Sequence, residues 1–264
     1  MPVPDTDTFK LIADVVEEIN PSMSPKGLNN CFSLADPAGF DPQYEGDKDR
    51  MLNFRNYHHT QAKYIGSEAD GSVYAQGISW STVRGLSSGT VNTASNPNRG
   101  YCFSENFDDA LYTISRLFFK FDLNGIPSTV TLIEAYLKFV RWTTYNTQSG
   151  IDGYVAVLGT QGDTIDGSDY SNFSSTILLN GAISTELDVC SRPVVKLPAT
   201  SGNLTTLENY LNDDLYMCIR HKYDYYDTEP ATDEKLGAET YLSGVKVVPP
   251  YCFYNPYLFL KYTT

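Results

Sequence analysis

Few residues in this sequence have the types and spacing that catalysis or metal binding requires. Its three histidines are His58, His59 and His221, and the adjacent pair points to opposite sides of an extended chain. Cys218 lies three residues before His221, a spacing that metal ligands use, but no second pair completes a four-ligand site. We therefore interpret Cys218 as a buried thiol and His221 as a histidine at the edge of a strand.

Two common motifs of catalytic sites are missing. The sequence contains no phosphate-binding loop and no dinucleotide-binding glycine pattern. A carboxylate pair for glycoside hydrolysis stays open as an alternative, because 32 Asp and Glu residues always offer pairs and only a fold gives their separation. We predict a protein that is not an enzyme and that uses no cofactor.

An acidic loop, GTQGDTIDGSDY, is the candidate for a metal site. It places Asp163, Asp166 and Asp169 three residues apart, and carboxylates can surround a hard cation such as calcium. The loop lacks the alternating ligands and the distal glutamate of an EF-hand. We therefore predict no metal site and interpret the loop as a solvated turn, with calcium binding as the weaker alternative.

Tyrosines are concentrated in the segment HKYDYYDTEP, residues 221–230. Because tyrosine has a flat apolar face beside a hydroxyl group, Tyr223, Tyr225 and Tyr226 can stack on the sugar rings of a glycan. Tyrosine is equally common in protein interfaces and packed cores. We favour packing and subunit contacts for this segment and keep glycan contact as the alternative.

The composition and charge of the chain exclude several classes of function. In its 264 residues, aromatic side chains reach 13%, with 20 Tyr and 13 Phe, which favours β-strands. The 32 Asp and Glu exceed the 19 Lys and Arg, and the net charge of −13 repels a phosphate backbone, so nucleic acid is excluded as a partner. No apolar run of about 18 residues is present, so we expect no membrane insertion.

The cysteines and the N-terminus indicate folding in the cytoplasm. The five cysteines form an odd, unpatterned set, which is typical of reduced thiols rather than of a disulfide framework. The start of the chain, MPVPDTDTFKLIADVVEEI, has neither the basic leader nor the apolar stretch of a secretion signal. We therefore expect a protein that is not exported by a signal peptide.

The first part of the chain has the periodicity of short helices. Apolar residues recur at spacings of three and four at Phe9, Ile12, Val16 and Ile19. A second set follows the cap signal Ser24-Pro25, at Leu28, Cys31, Phe32 and Ala35. Two helices of this size bury too little apolar area to fold alone, so they must pack on something else. We predict a helical and extended N-terminal module over residues 1–65.

From about Gly71 the period changes to two, which indicates strands. Alternation predicts one apolar face at Leu117, Phe119, Phe121 and Leu123, and another at Ile133, Ala135, Leu137 and Phe139. The opposite faces of these two strands are predicted to be wet. Further strands are predicted at residues 153–159, 192–198, 215–221 and 256–262. The pattern predicts a mainly β fold, a jelly-roll-like antiparallel β-sandwich over residues 66–264.

The segment YTISRLFFKFDLNGIPSTVTLIEAYLKFV, residues 112–140, resembles the signature of DNRLRE-like β-sandwich domains. In these domains an Arg-led strand is followed by an I-P turn and a second strand. Residues 73–89, 168–179 and 255–263 are similar to the opening, middle and final parts of such domains, so the resemblance covers about 70–264. The family is similar to carbohydrate-binding jelly rolls, which implies a fold but assigns no sugar-binding residues.

The block FDPQYEGDKDRMLNFRNY, residues 40–57, resembles a short module found before varied C-terminal domains in virion-associated proteins of Bacteroidetes phages, including crAss-like phages. The resemblance implies a docking device. Its expected apolar anchors in a partner are Leu52, Phe54 and Tyr57, and its expected polar contacts are Asn53, Arg55 and Asn56. The alternative is that the block packs against its own sandwich.

The two resemblances imply a bacteriophage virion structural protein, assembled in the host cytoplasm, as a head fibre, a decoration or a component of the tail region. Its expected partners are other virion proteins and further copies of itself in a symmetric homo-oligomer, for example a trimer. The alternative function is a carbohydrate-binding module that recognises a glycan of the host surface.

Overall fold

Strands dominate the part of the chain that a computed structural model describes. The described residues are 15–16, 19–20, 22, 24, 26–41, 51–54, 57, 62–92, 99–107, 111–145, 153–187, 193–231, 234–241, 246–247, 252–253 and 256–263. Within these residues no helix is long and apolar enough to cross a membrane.

In the described part of the chain a short helix comes first, as predicted, and strands dominate from Ala62 onward, with three further short helices between them. The strands are β1 (Ala62–Gly66), β2 (Ala69–Gly77), β3 (Thr90–Val91), β4 (Arg99–Phe107), β5 (Leu111–Asp122), β6 (Thr131–Tyr145), β7 (Gly153–Gly159), β8 (Phe173–Leu187), β9 (Pro193–Pro198), β10 (Asp214–His221), β11 (Glu234–Tyr241), β12 (Lys246–Val247), β13 (Cys252–Phe253) and β14 (Tyr257–Thr263). The helices are α1 (Leu28–Leu34), α2 (Trp80–Arg84), α3 (Ser201–Glu208) and α4 (Lys222–Tyr226), and 3-10 turns span Pro37–Gly39, Met51–Phe54 and Gly167–Ser171.

The strands pair antiparallel in the order β1-β14-β6-β11-β4-β5-β10-β7-β8-β9, and β2 joins the free edge of β5. Two long strands connect the layers. β8 pairs with β7 along its first part and with β9 along its last part, while β6 pairs with β14, β9 and β11. This arrangement confirms the predicted antiparallel β-sandwich.

The main core lies between β5 and β10 on one side and β6, β9 and β14 on the other. As predicted, Leu117, Phe119, Phe121 and Leu123 all face this core and are buried. The ring of Phe119 on β5 lies 6.1 Å from the ring of Phe139 on β6, which joins the two layers. Alternating apolar residues on facing strands therefore form the sandwich core.

The prediction that the opposite face of β5 is wet was wrong. Phe118 is fully buried and Arg116 is 1% exposed on that face. A second apolar cluster covers Phe118 there, and it includes Trp80 and Val83 of α2 and Tyr170 of a 3-10 turn. Segments far away in the sequence therefore cover a face whose local pattern looked polar.

The predicted inward position of Ile133 was also wrong. Ile133 is 50% exposed, whereas its neighbour Leu132 is 4% exposed and belongs to the main core. The register of β14 against β6 shifts here, because Lys261 pairs with Glu134 while Tyr262 pairs with Leu132. This bulge turns Ile133 outward and brings Leu132 into the position that simple alternation gives to its neighbour.

The N-terminal helices pack as predicted in type but not at every boundary. Val16 and Ile19 are helical and buried, while Phe9 and Ile12 lie outside the described residues. The second predicted helix is α1, which begins at Leu28 with Gly27 as its N-cap. No side chain caps it, so Ser24 is not its cap. The helix start that Ser24-Pro25 predicted was therefore wrong by about one turn.

The N-terminal segment contacts the sandwich beside β1. The 3-10 turn Pro37–Gly39 lies against this strand. The ammonium of Lys63 on β1 is 3.8 Å from the carboxylate of Asp36. β1 pairs with β14, so the sheet begins at Ala62, a few residues before the predicted module boundary at 65.

The bulge in β6 gives a direct test of the assigned faces. Leu132→Ala should lower the free energy of unfolding by roughly 2 to 5 kcal/mol, because it removes a buried leucine from the core. Ile133→Ala, the matched control on the exposed face, should change it by no more than about 0.5 kcal/mol. Urea unfolding curves of both variants measure this difference, and the reverse ranking would contradict the bulge.

Candidate functional site

A groove of about 320 Å³ is the candidate functional site, and side chains of β2, β4, β5 and β11 line it. Alternation along β5 places Thr113 and Ser115 on the same face as Leu117, which belongs to the main core. The groove therefore continues the core-facing side of the sheet past the point where apolar packing ends. Polar and aromatic side chains occupy the positions that apolar residues fill further along β5.

One row of the groove alternates ring-bearing and small residues across three strands. Ser115 on β5 pairs with Tyr74 on β2 and with Phe103 on β4. Since neighbouring strands lie about 4.8 Å apart, Tyr74 and Phe103 are separated by roughly 10 Å, with Ser115 between them. The Ser115 hydroxyl donates to the carbonyl oxygen of Tyr101 at 2.8 Å, which fixes the floor of this row.

A glycine ends this row on β11. Gly237 pairs with Phe103 and has φ of +150°, a conformation that favours glycine. A Cβ atom there would lie 2.3 Å from the carbonyl oxygen of Cys102, so any side chain would force β11 away from β4. Because residue 237 has no side chain, the Lys235 side chain can cover the face of the Phe103 ring. Its Nζ lies 4.2 Å from the ring centroid.

A second row, two residues further along each strand, supplies hydrogen-bonding groups. Thr113 pairs with Gln76 and with Glu105, and Glu105 pairs with Lys235. The Gln76 amide donates to the Thr113 hydroxyl at 3.2 Å. The Lys235 ammonium is 3.4 Å from the Glu105 carboxylate, so the opposite charges in this row balance.

A buried ion cluster lies on the other face of β5. Asp224 of α4 is fully buried, and its two carboxylate oxygens accept hydrogen bonds from Arg116 at 2.8 Å each. Arg220 of β10 donates to the same two oxygens, also at 2.8 Å each. Two forked guanidinium groups therefore hold one carboxylate, the geometry that makes such pairs strong.

The ion cluster, defined here as Arg116, Asp224 and Arg220, also fixes the segments around it. Arg116 donates to the carbonyl oxygen of Tyr170 at 2.6 Å, and its guanidinium carbon lies 4.1 Å from the Tyr170 ring centroid. Arg84 at the end of α2 donates to the Asp224 carbonyl oxygen at 3.0 Å. The cluster therefore connects β5, β10, α2, α4 and the 3-10 turn at Gly167–Ser171.

The charge state of Asp224 follows from these contacts. Burial alone would raise the pKa of Asp224, but the charges and hydrogen bonds of Arg116 and Arg220 outweigh it and hold the pKa well below its usual range. The carboxylate therefore stays ionised in the folded protein.

His221 has a capping role that the sequence analysis missed. It is fully buried at the start of α4, and its Nδ1 accepts a hydrogen bond from the backbone nitrogen of Tyr223 at 3.4 Å. Burial lowers the pKa of His221 to about 4, while the nearby Asp224 opposes this shift. The prediction of a histidine at a strand edge was therefore wrong, because α4 covers it.

The predicted glycan tyrosines do not form one exposed surface. Tyr223 and Tyr225 are half-buried and pack against the second apolar cluster. The ring of Tyr223 lies 5.4 Å from that of His221. Tyr226 is 55% exposed. The segment mainly positions Asp224, which agrees with the packing interpretation.

The residues proposed for docking are divided between the interior and the surface. Phe54 and Tyr57 are fully buried in an N-terminal cluster, where both rings contact Phe40 at centroid distances of 5.2 and 4.8 Å. Burial in the chain's own segment argues against a direct contact of these two rings with a partner. Leu52 is 51% exposed, and Arg55 and Asn56 lie outside the described residues.

The structure gives the three aspartates of the calcium candidate different partners. Asp163 accepts hydrogen bonds from Lys120 and Tyr216 at 2.8 and 2.9 Å. Asp166 and Asp169 form a reciprocal capping box of the 3-10 turn at Gly167–Ser171. Among the described residues no group of three or more His, Cys, Asp or Glu side chains is placed to hold a metal ion.

The cysteines of the described region behave as predicted. Cys31, Cys102 and Cys218 are free and buried, and burial raises the pKa of Cys218 to about 12. Cys190 lies outside the described residues, and the side chain of Cys252 is not described. The described thiols therefore act as small apolar groups.

Comparison with the sequence profiles of known protein families finds no match. A search of curated protein sequences finds no match either. The resemblance to DNRLRE-like domains and to the phage module therefore stays a prediction.

The groove was not predicted from the sequence, although the strands that line it carry a visible signal. In GYCFSENF the residues Tyr101, Phe103 and Glu105 alternate with smaller or neutral ones, and SVYAQG carries Tyr74 and Gln76 with the same period. Alternation marks one face of each strand, but it does not say which strands become neighbours.

The ion cluster predicts that replacing two aspartates of one segment has very different effects on the free energy of unfolding. Asp224→Asn should lower the free energy of unfolding by roughly 3 to 5 kcal/mol, because it leaves two buried guanidinium groups without their carboxylate. The matched control is Asp227→Asn, since the Asp227 side chain is 61% exposed and pairs with Arg84 at 2.6 Å. Its cost should stay below about 1 kcal/mol. Equal costs in chemical unfolding experiments would refute a special role for Asp224.

His221 predicts a loss of stability in mild acid. Its folded pKa of about 4 lies below the usual value of about 6.5, so the unfolded chain takes up a proton first as the pH falls. The contribution is complete above about pH 6.5 and is lost progressively toward pH 4, on the order of 3 kcal/mol in total.

His221→Asn keeps a side chain that can cap α4 and removes the titration. The difference in unfolding free energy between wild type and variant should shrink or reverse between pH 7 and pH 4. Parallel pH profiles of the two proteins would contradict this assignment.

Proposed function

We propose that this chain is a non-catalytic structural protein of a bacteriophage particle, which docks through its N-terminal segment and projects its β-sandwich. The proposal is supported first by a core that the N-terminal segment keeps for itself, built from Val15, Val16, Ile19, Cys31, Phe40, Phe54 and Tyr57. A segment with its own core can present a defined surface to a partner. The resemblance of residues 40–57 to a phage module supports the same proposal.

The exposed part of this segment is where docking would occur. Phe54 and Tyr57 stabilise the segment from within, and the Tyr57 hydroxyl accepts a hydrogen bond from the Asp36 backbone nitrogen at 2.6 Å. Leu52 lies in the same 3-10 turn as Phe54 and is 51% exposed. In the proposal, a partner subunit or a second copy of the chain buries Leu52.

Quantitative peptide mass spectrometry of density-purified phage particles tests the proposal. The wild-type chain should appear at a fixed, symmetry-allowed copy number relative to the major capsid protein. Leu52→Asp should lower that copy number at least about tenfold, because it would bury an unpaired carboxylate in an apolar contact. Ile78→Asp, a matched change at a residue that is 84% exposed on the sandwich, should not. Absence of the wild-type chain from particles would refute a virion role.

The groove favours a second candidate function, which is recognition of a carbohydrate. Two aromatic residues, Tyr74 and Phe103, stand on either side of a small residue in a row next to hydrogen-bonding groups. Aromatic faces beside polar groups suit ligands that are apolar on one face and rich in hydroxyls elsewhere. This function is compatible with a virion role and does not depend on it.

A further inference from the structure

We propose that the groove between β2, β4, β5 and β11 is a binding site for a neutral saccharide, with one pyranose ring held between Tyr74 and the ring pair Tyr101 and Phe103. The proposal rests on the second candidate function and names its site and its ligand class. Its test is independent of particle incorporation.

The spacing of the first row fits a flat ring. Tyr74 and Phe103 are two interstrand spacings apart, roughly 10 Å, and Ser115 between them rises little from the sheet. Tyr101 meets Phe103 edge to face, at 89° and a centroid distance of 6.4 Å. Tyr74 and Tyr101 are half-buried, so part of each ring is accessible to a ligand. Phe103 is 9% exposed and Lys235 lies over its ring, so Phe103 supports the slot from behind the surface. The row therefore forms a slot whose accessible walls are Tyr74 and Tyr101, with a small polar floor.

The second row supplies the groups that hydroxyls recognise. The Gln76 amide donates to the Thr113 hydroxyl oxygen, and this hydrogen bond orients both side chains. The Gln76 amide oxygen and the Thr113 hydroxyl hydrogen are the groups that this bond does not use. Glu105 lies across from Thr113 in the same row. An amide, a hydroxyl and a carboxylate in one line match the successive hydroxyl groups along one edge of a sugar.

The charges select a neutral ligand. Glu105 and Lys235 neutralise each other within the groove at 3.4 Å. The ammonium of Lys235 also lies on the Phe103 ring, which holds it against the wall. The whole chain carries a net charge of −13, so an anionic glycan would be repelled on approach. A sialylated, sulfated or uronic-acid ligand is therefore disfavoured.

The size of the groove limits the ligand. At about 320 Å³ it stands at the lower end of the roughly 300–1,000 Å³ that small-molecule sites occupy. This space suits one or two sugar units rather than a long chain. Recognition of a terminal or short internal part of a glycan follows, and such single-site contacts become strong mainly through multiple copies.

The experiment uses the full chain on an array of neutral oligosaccharides built from glucose, galactose or mannose, with sialylated and sulfated glycans as the anionic set. Calorimetric titration with the best neutral binder then gives the dissociation constant. Tyr74→Ala and Gln76→Ala should each weaken binding, the former about tenfold or more, because it removes one wall of the slot. Tyr74→Phe should keep most of the affinity, since the ring remains.

Matched controls separate the groove from other aromatic surfaces. Tyr226→Ala removes a tyrosine that is 55% exposed outside the groove, and Phe107→Ala removes a ring that is 58% exposed further along β4. Both should bind like wild type. The melting temperature of every variant checks that the sandwich is intact, and Gln76, an exposed side chain, keeps the test valid if Tyr74→Ala does not fold.

Three results would overturn the proposal. These are no neutral oligosaccharide bound at millimolar concentration, preference for the anionic set, and affinity kept in both Tyr74→Ala and Gln76→Ala. None of them changes the copy number in particles, so failure of the saccharide site and failure of the virion role are distinguished.

Discussion

The bond between Arg116 and Asp224 is the constraint on which the arrangement around the second apolar cluster depends. A fully buried carboxylate is tolerated only when cations and hydrogen bonds replace the water it has lost, and here two forked guanidinium groups do so. Those groups come from β5 and β10, while the carboxylate comes from α4. The three elements cannot shift relative to one another without separating buried charges, so the short helix α4 is held in place although it is too short to be stable alone.

Strand β5 carries three environments along one stretch of chain. Its first half presents Thr113 and Ser115 to the groove, its middle presents Arg116 to the ion cluster, and its second half presents Leu117 and Phe119 to the main core. Because alternate residues face opposite sides, the ion cluster and the groove share a backbone without sharing a face. Fixing Arg116 therefore also fixes the position of the groove floor.

The sequence predicted the positions of the strands better than the burial and the neighbours of their side chains. Gly153–Gly159 was found at its bounds because an apolar run between glycines is a local signal. The orientation of Ile133 depends on a bulge set by its partner strand, and the burial of Phe118 depends on α2 and a 3-10 turn distant in sequence. The pairing of Glu105 with Thr113 is likewise a property of register between strands, so the groove could not be assembled from periodicity alone.

The N-terminal segment and the groove are separate surfaces of one chain. The segment lies against β1, whereas β4 and β5 stand four and five places from β1 in the hydrogen-bonded order. Apolar clustering in MLNFRNY predicted an anchor, but Phe54 and Tyr57 fold inward because their own segment needs a core before it can contact anything else. In the proposed docking role, contact with a partner would fall to exposed neighbours such as Leu52, and the groove lies on strands away from the segment. If both proposals hold, a particle that carries many copies of the chain would present the saccharide site many times, and such multivalency raises the overall affinity without any new contact.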